Sequence, residues 1–406
     1  MSEKAALGKK AIVIFIMAII IEIIMIAINI PVESLLANGE IGNDLSTSKA
    51  DNWEKEDIPT TENNATKNIL MKDDTCEYSD YQYHGTVFGS EISRDRVVSV
   101  AFLNTLDAMT DRAWDVSREQ NGTVMAWIVP DASVDQGVDL FIGAEGKILA
   151  EDCKGLFRGY GNVVTIGFND CFDTSNVKDM GSMFQYCENL AQLDVSSFDT
   201  SQVENMSNMF GNCISLKMLD LGSFDTSQVT DMVGMFEVCL NMRQLDINNF
   251  NTSRVINMSG MFNSCYNLTQ LDVSNFDTSQ ATDMSGMFTG CEALTQLDIS
   301  NFDTGQVIDM SGMFTGCESL IQLDISNFDT SRVENMGGMF CFCKSLERLD
   351  VSSFDTSQVK NMGSMFWGCE SLTQLDVSNF IMSQGIWTDH MFEDCAITAE
   401  EANLGR

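Results

Sequence analysis

One feature constrains this chain more than any other: nearly the same 26-residue phrase recurs with no break in its spacing. Cys187, Cys213, Cys239, Cys265, Cys291, Cys317, Cys343, Cys369 and Cys395 stand 26 residues apart. Phe172, Phe198, Phe224, Phe250, Phe276, Phe302, Phe328, Phe354 and Phe380 keep the same interval, as do Asp194, Asp220, Asp246, Asp272, Asp298, Asp324, Asp350 and Asp376. Independent domains tolerate insertions between copies, so fixed spacing in every column implies units packed directly on one another. The expected fold is an α/β solenoid over residues 150–395, with a short strand and a short helix in each repeat.

The strand expectation rests on Leu271-Asp272-Val273, where apolar and acidic residues alternate, with Leu and Val inward and Asp outward. Stacked coils would align such strands into a parallel sheet. The helix expectation rests on Ser201 to Phe210: Ser201 and Glu204 have capping-box spacing, and Val203, Met206 and Phe210 share a helical face. Asp173, Asp199, Asp225, Asp277, Asp303, Asp329 and Asp355 would cap the helices, with Asn251 in one coil keeping the side-chain oxygen without the charge.

The cysteine column reads as a structural ladder of packed, reduced thiols. Neighbouring side chains in a parallel ladder lie alongside each other, which disfavours disulfides within the column. Cys153 with Cys171 is a local disulfide candidate. The methionine column, Met180 to Met362, reads as core filling. The Asp194-to-Asp376 column has three readings: solvated scaffold, partner-binding stripe, or calcium ligands. At ~4.8 Å per coil the eight carboxylates would form a stripe ~34 Å long. One carboxylate per coil lacks the dense ligand set of a calcium loop, and the expectation is no metal and no cofactor.

Lys and Arg total 23 against 59 Asp and Glu, a formal charge of −36. That excludes nucleic acid as an expected partner, since a phosphate backbone requires a cationic surface. Residues 1–10 read as a cytoplasmic N-terminus and residues 11–32 as a signal peptide or signal-anchor helix, with lysines preceding an apolar run. Residues 33–75 read as a flexible extracellular linker. Residues 76–149 read as an N-terminal cap, with strands in RDRVVSVAFL, NGTVMAWIV and DLFIGAEGKILA, and residues 396–406 as a C-terminal tail. The final coil loses the DTS phrase in FIMSQGIWTDHMFEDC, as a terminal unit should.

The phrases LDVSSFDTSQV, MSNMFGNC and LDVSNFDTSQATDMSGMFTGC, with the lead-in NGTVMAWI, resemble the BspA-like leucine-rich-repeat surface proteins. The resemblance spans about residues 90–395 and implies a cell-surface or secreted protein engaged in adhesion or recognition, with no catalytic residues to carry over. No nucleophile and base are paired, and His84 and His390 lie in unrelated end regions. The expectation is a noncatalytic repeat protein that recognises an extracellular protein or glycan, single-pass membrane-anchored or secreted if the N-terminal segment is cleaved. The alternative is a structural envelope protein or self-associating spacer.

Overall fold

The computed structural model describes residues 67–73, 77–79, 82–131, 134–382 and 385–404. The expectations for residues 1–10 and 11–32, and most of the linker, lie outside these. Among the described residues no helix is long and apolar enough to cross a membrane.

The chain enters through a hairpin of β1 (Glu77–Ser79) and β2 (Gln82–His84). A five-stranded mixed sheet follows, built from β3 (Val97–Leu103), β4 (Trp114–Asp115), β5 (Met125–Pro130), β6 (Val138–Gly143) and β8 (Thr165–Gly167). Its order is β4-β5-β6-β3-β8. Lying between them, β3 runs parallel to both β6 and β8, whereas β5 runs antiparallel to β4 and β6. Alternation sets the two faces: Val100, Phe102, Leu140 and Ile142 are buried in the core, while Trp127 stacks on Phe141 at 5.7 Å. Short β7 (Ile148–Leu149) pairs in parallel with β9 (Phe172–Asp173).

Beyond it, 26-residue coils lie on one another. Parallel bridges link Asp179, Asn205, Asp231, Asn257, Asp283, Asp309, Asn335, Asn361 and Trp387 in series. The strand half is rudimentary. Two-residue strands, β10 (Gln244–Leu245) and β11 (Gln270–Leu271), form one ladder there, and elsewhere that half shows only isolated bridges such as Asp220–Asp246.

The helical half does not exist, and the α/β solenoid of leucine-rich-repeat-like coils is corrected. The only helical element among the described residues is the 3-10 turn Arg94–Arg96. In place of each expected helix the chain makes consecutive turns. In one coil Met287 N–H donates to Met284 O (3.3 Å), Thr289 N–H to Gly286 O (3.0 Å) and Cys291 N–H to Phe288 O (3.1 Å). Gly286 and Gly290 have φ of 62° and 70°, the positive value that a type II turn needs at its third residue. An α-helix would direct these N–H groups to its own carbonyls four residues back. Here Met284, Gly286, Phe288 and Gly290 instead donate to Asp309, Ser311, Met313 and Thr315 of the next coil, at 2.7–3.1 Å. A helix this short is marginal alone, so bonding between coils supplies what bonding within it could not.

The core follows the same geometry. Phe184, Phe210, Phe236, Phe262, Phe288, Phe314, Phe340 and Phe366 form a column of rings, each 5.6–5.8 Å from the next and within 9° of parallel. The threonines that recur every 26 residues from Thr174 to Thr356 are buried. Thr278 shows how: its hydroxyl donates to Asp303 O and accepts from Asp303 N–H, both at 2.8 Å. A buried hydroxyl left unpaired would be costly.

Arg94 lies under the first coil, 1% exposed. Its Nη1 donates to Arg158 O (2.6 Å), its Nε to Thr86 O (3.2 Å), and its Nη2 forms an ion pair with Asp73 (2.9 Å). The guanidinium carbon sits 5.1 Å from the Tyr160 ring centroid, in cation–π range.

Candidate functional site

Asp194, Asp220, Asp246, Asp272, Asp298, Asp324, Asp350 and Asp376 all stand exposed on the strand side of the coils. Each carboxylate also has a local task. Asp272 Oδ1 accepts the N–H (3.0 Å) and the hydroxyl (2.6 Å) of Ser274. Asp194, Asp298 and Asp324 bond Ser196, Ser300 and Ser326 in the same way. Asp220, Asp246, Asp350 and Asp376 accept the N–H of Gly222, Asn248, Ser352 and Ser378. These are Asx turns, which end the strand segment and swing the chain toward Phe276 and its equivalents.

Bonding to the charged form favours it. The serine hydroxyl and N–H hold Asp194, Asp272, Asp298, Asp324 and Asp350 below the usual carboxylate range, and the Ser378 N–H leads for Asp376. Neighbouring carboxylates push back at Asp298 and Asp350. Eight charges at coil spacing repel, and the Asx bonds offset that repulsion locally.

From Asp246 to Asp376 the column borders a groove of about 1480 Å³ along the strand side, where Gln244, Asp246, Gln270, Asp272, Gln322 and Asp324 alternate. The glutamines two residues before Asp194, Asp246, Asp272, Asp298, Asp324 and Asp376 were missed in the sequence reading. The signal was available, because residues i and i+2 share a face of an extended segment. Arg348 takes the glutamine position in one coil. The groove therefore offers amide, carboxylate and hydroxyl groups at regular steps. Among the described residues no three His, Cys, Asp or Glu side chains converge as metal ligands.

The cysteine ladder lies inside. Cys187, Cys213, Cys239, Cys265, Cys291, Cys317, Cys343 and Cys369 are buried, and Cys395 is half-buried. Each of the eight buried thiols donates to a phenylalanine carbonyl of the preceding coil, as Cys291 does to Phe262 O at 3.3 Å. Burial pushes the thiols of Cys187, Cys265 and Cys317 up to about 12, away from the reactive thiolate. Cys153 and Cys171, the local disulfide candidate, are both buried free thiols.

The second acidic column initiates turns where helix caps were expected. Asp277 Oδ1 accepts Ser279 N–H at 3.0 Å, and Asn251 accepts Ser253 N–H at 3.1 Å, so the uncharged residue serves equally. A third column went unread: Asp179, Asn205, Asp231, Asn257, Asp283, Asp309, Asn335 and Asn361, all half-buried. Asn205 Nδ2 donates to Asp179 (3.0 Å) and Asn335 Nδ2 to Asp309 (3.0 Å). Interspersed amides thus relieve the like-charge repulsion that an unbroken aspartate column would carry.

Comparison with known proteins corrects the resemblance to BspA-like leucine-rich-repeat surface proteins. No curated protein and no solved structure matches the chain. The family model described as "Mycoplasma protein of unknown function, DUF285" matches three overlapping segments, residues 151–245, 215–320 and 293–403. Those segments take in all the stacked coils and more than half of the sequence, and the chain belongs to this DUF285 family.

Proposed function

We propose that this chain is a noncatalytic binding protein, displayed at the cell surface or secreted, whose Gln/Asp groove recognises an extended protein or glycan. The observation that carries the reading is the Asp194-to-Asp376 column. Its Asx bonds use Oδ1, and its carboxylates from Asp246 to Asp376 line the groove. An ordered row of ionised acceptors beside amides suits a ligand with regularly spaced hydroxyl or cationic donors.

The test is binding of the purified full chain to an array of extracellular-matrix proteins and glycans, alongside the triple variant Asp272→Asn, Asp298→Asn, Asp324→Asn. Asparagine keeps the Asx acceptor, so the fold is retained while the charge is lost. Loss of a charge-assisted bond, ~1.5 kcal/mol, lowers affinity by roughly tenfold. No saturable ligand on the array, or equal binding by the variant, rejects the reading.

A further inference from the structure

The last coil presents something that no other coil does. Met362, Ser364, Phe366 and Gly368 donate their N–H groups to Trp387, Asp389, Met391 and Glu393 carbonyls, at 2.8–3.0 Å. One coil further on, Thr388, His390, Phe392 and Asp394 hold the equivalent donor positions. Their coil keeps the same turns, with Met391 N–H on Thr388 O, Glu393 N–H on His390 O and Cys395 N–H on Phe392 O. His390 and Asp394 have φ of 62° and 53°, matching Gly286 and Gly290. Four aligned N–H groups therefore face outward, with no acceptor among the described residues. The residues that follow fold over the strand side instead, where Val377 N–H donates to Ala402 O at 2.9 Å.

The surroundings of this edge are apolar and acidic. Phe392 ends the ring column, 5.5 Å from Phe366, and is only half-buried. Trp387 is 45% exposed. Asp389, Glu393 and Asp394 are exposed carboxylates; Glu393 pairs with His390, and Asp394 accepts from Trp367 Nε1 at 3.3 Å.

We propose that this edge docks an extended, cationic peptide segment of another protein. The peptide's carbonyls accept from Thr388, His390, Phe392 and Asp394 N–H, adding to the stack as one more coil does. Its apolar side chains cover Phe392 and Trp387, and its Lys or Arg residues meet Asp389 and Glu393. Polarity excludes a second copy joined edge to edge, because donors would face donors. At the opposite end, Arg94 already occupies the Arg158 carbonyl. The three carboxylates disfavour a small anion on the same N–H groups. Charge at an edge also discourages indiscriminate pairing, which a basic partner alone would overcome.

The proposal is independent of the groove reading. The experiment selects binders to the full chain from a random dodecapeptide library, then maps them by amide chemical shift and hydrogen exchange. Expected are Lys- or Arg-rich peptides that shift and protect the amides of residues 388, 390, 392 and 394. Affinity should fall at least tenfold for Glu393→Lys and with added salt, while Asp272→Asn leaves it unchanged. Strong protection of those four amides in the chain alone overturns the proposal. So does selection of peptides that bind regardless of charge, or that shift only groove residues; the last outcome leaves the groove reading standing.

Discussion

The N-terminal sheet and the stacked coils bury the same kinds of residue on opposite plans. In the sheet each contact occurs once: Trp127 meets Phe141, and Phe102 meets Phe157, Phe168 and Phe172 at 4.7–6.2 Å. In the stack, Phe288 lies 5.7 Å from Phe262 and 5.7 Å from Phe314, a setting shared by its equivalents. Unique contacts make a region fail as a whole, whereas nearest-neighbour contacts let damage stay local.

The largest test of this contrast is Arg94→Met, which strands buried Asp73 where the sheet meets the first coil. Its expected cost is ~3–5 kcal/mol in urea unfolding of the full chain, with Asp73→Asn restoring part of it. A loss under ~1 kcal/mol would show that the ion pair does not anchor the sheet. Next come Phe102→Ala and Phe288→Ala, each removing a buried ring at ~3–5 kcal/mol. Phe102→Ala should shift one cooperative transition, whereas Phe288→Ala should broaden or split it as coils on either side unfold separately. Identical curves would erase the distinction.

Smaller is Thr278→Val, which deprives Asp303 N–H of its acceptor and should cost ~1–3 kcal/mol. Faster hydrogen exchange confined to the Asp303 neighbourhood is the signature. Val238 carries a β-branched side chain at φ 59°, where Gly290, Gly316 and Gly368 stand in equivalent turns. Val238→Gly should therefore raise the melting temperature, relieving ~1 kcal/mol or more of strain against the entropy that glycine adds to the unfolded chain.

The smallest effect is pH dependence. The lowered Asp column stabilises the fold fully above the unfolded aspartate value of ~3.9. That contribution is lost as pH falls through the lowered folded values. Replacing Asp194, Asp272, Asp298 and Asp324 by Asn should flatten the acid limb of the stability curve. An unchanged limb means that other carboxylates set it.

The repeat period and the inward columns were legible because burial imposes them directly: Leu271, Val273, Phe276, Met284 and Cys291 are all buried. The helix was misread because Val203, Met206 and Phe210 fit both a helical face and a run of turns, each needing an inward residue every three or four positions. The sharper signal was glycine at 286 and again at 290, which costs a helix interior ~1 kcal/mol each time but suits paired type II turns. Thr278 looked like turn punctuation, since nothing local says that its hydroxyl meets the next coil's backbone. The exposed aspartates were legible, yet their Ser partners two residues on explain much of the column as turn chemistry. The donor edge at residues 388–394 emerges only once the direction of the bonds between coils is known.

Because Met284, Gly286, Phe288 and Gly290 donate to the next coil as their counterparts do elsewhere in the stack, interior coils are interchangeable in backbone terms. Recombination between the DNA copies that encode them can add or delete a whole repeat in frame. Neither terminus is disturbed, and no new joint has to be invented. The length of the groove is thus a heritable variable, separable from its chemistry, and a single genetic event changes it by a whole coil.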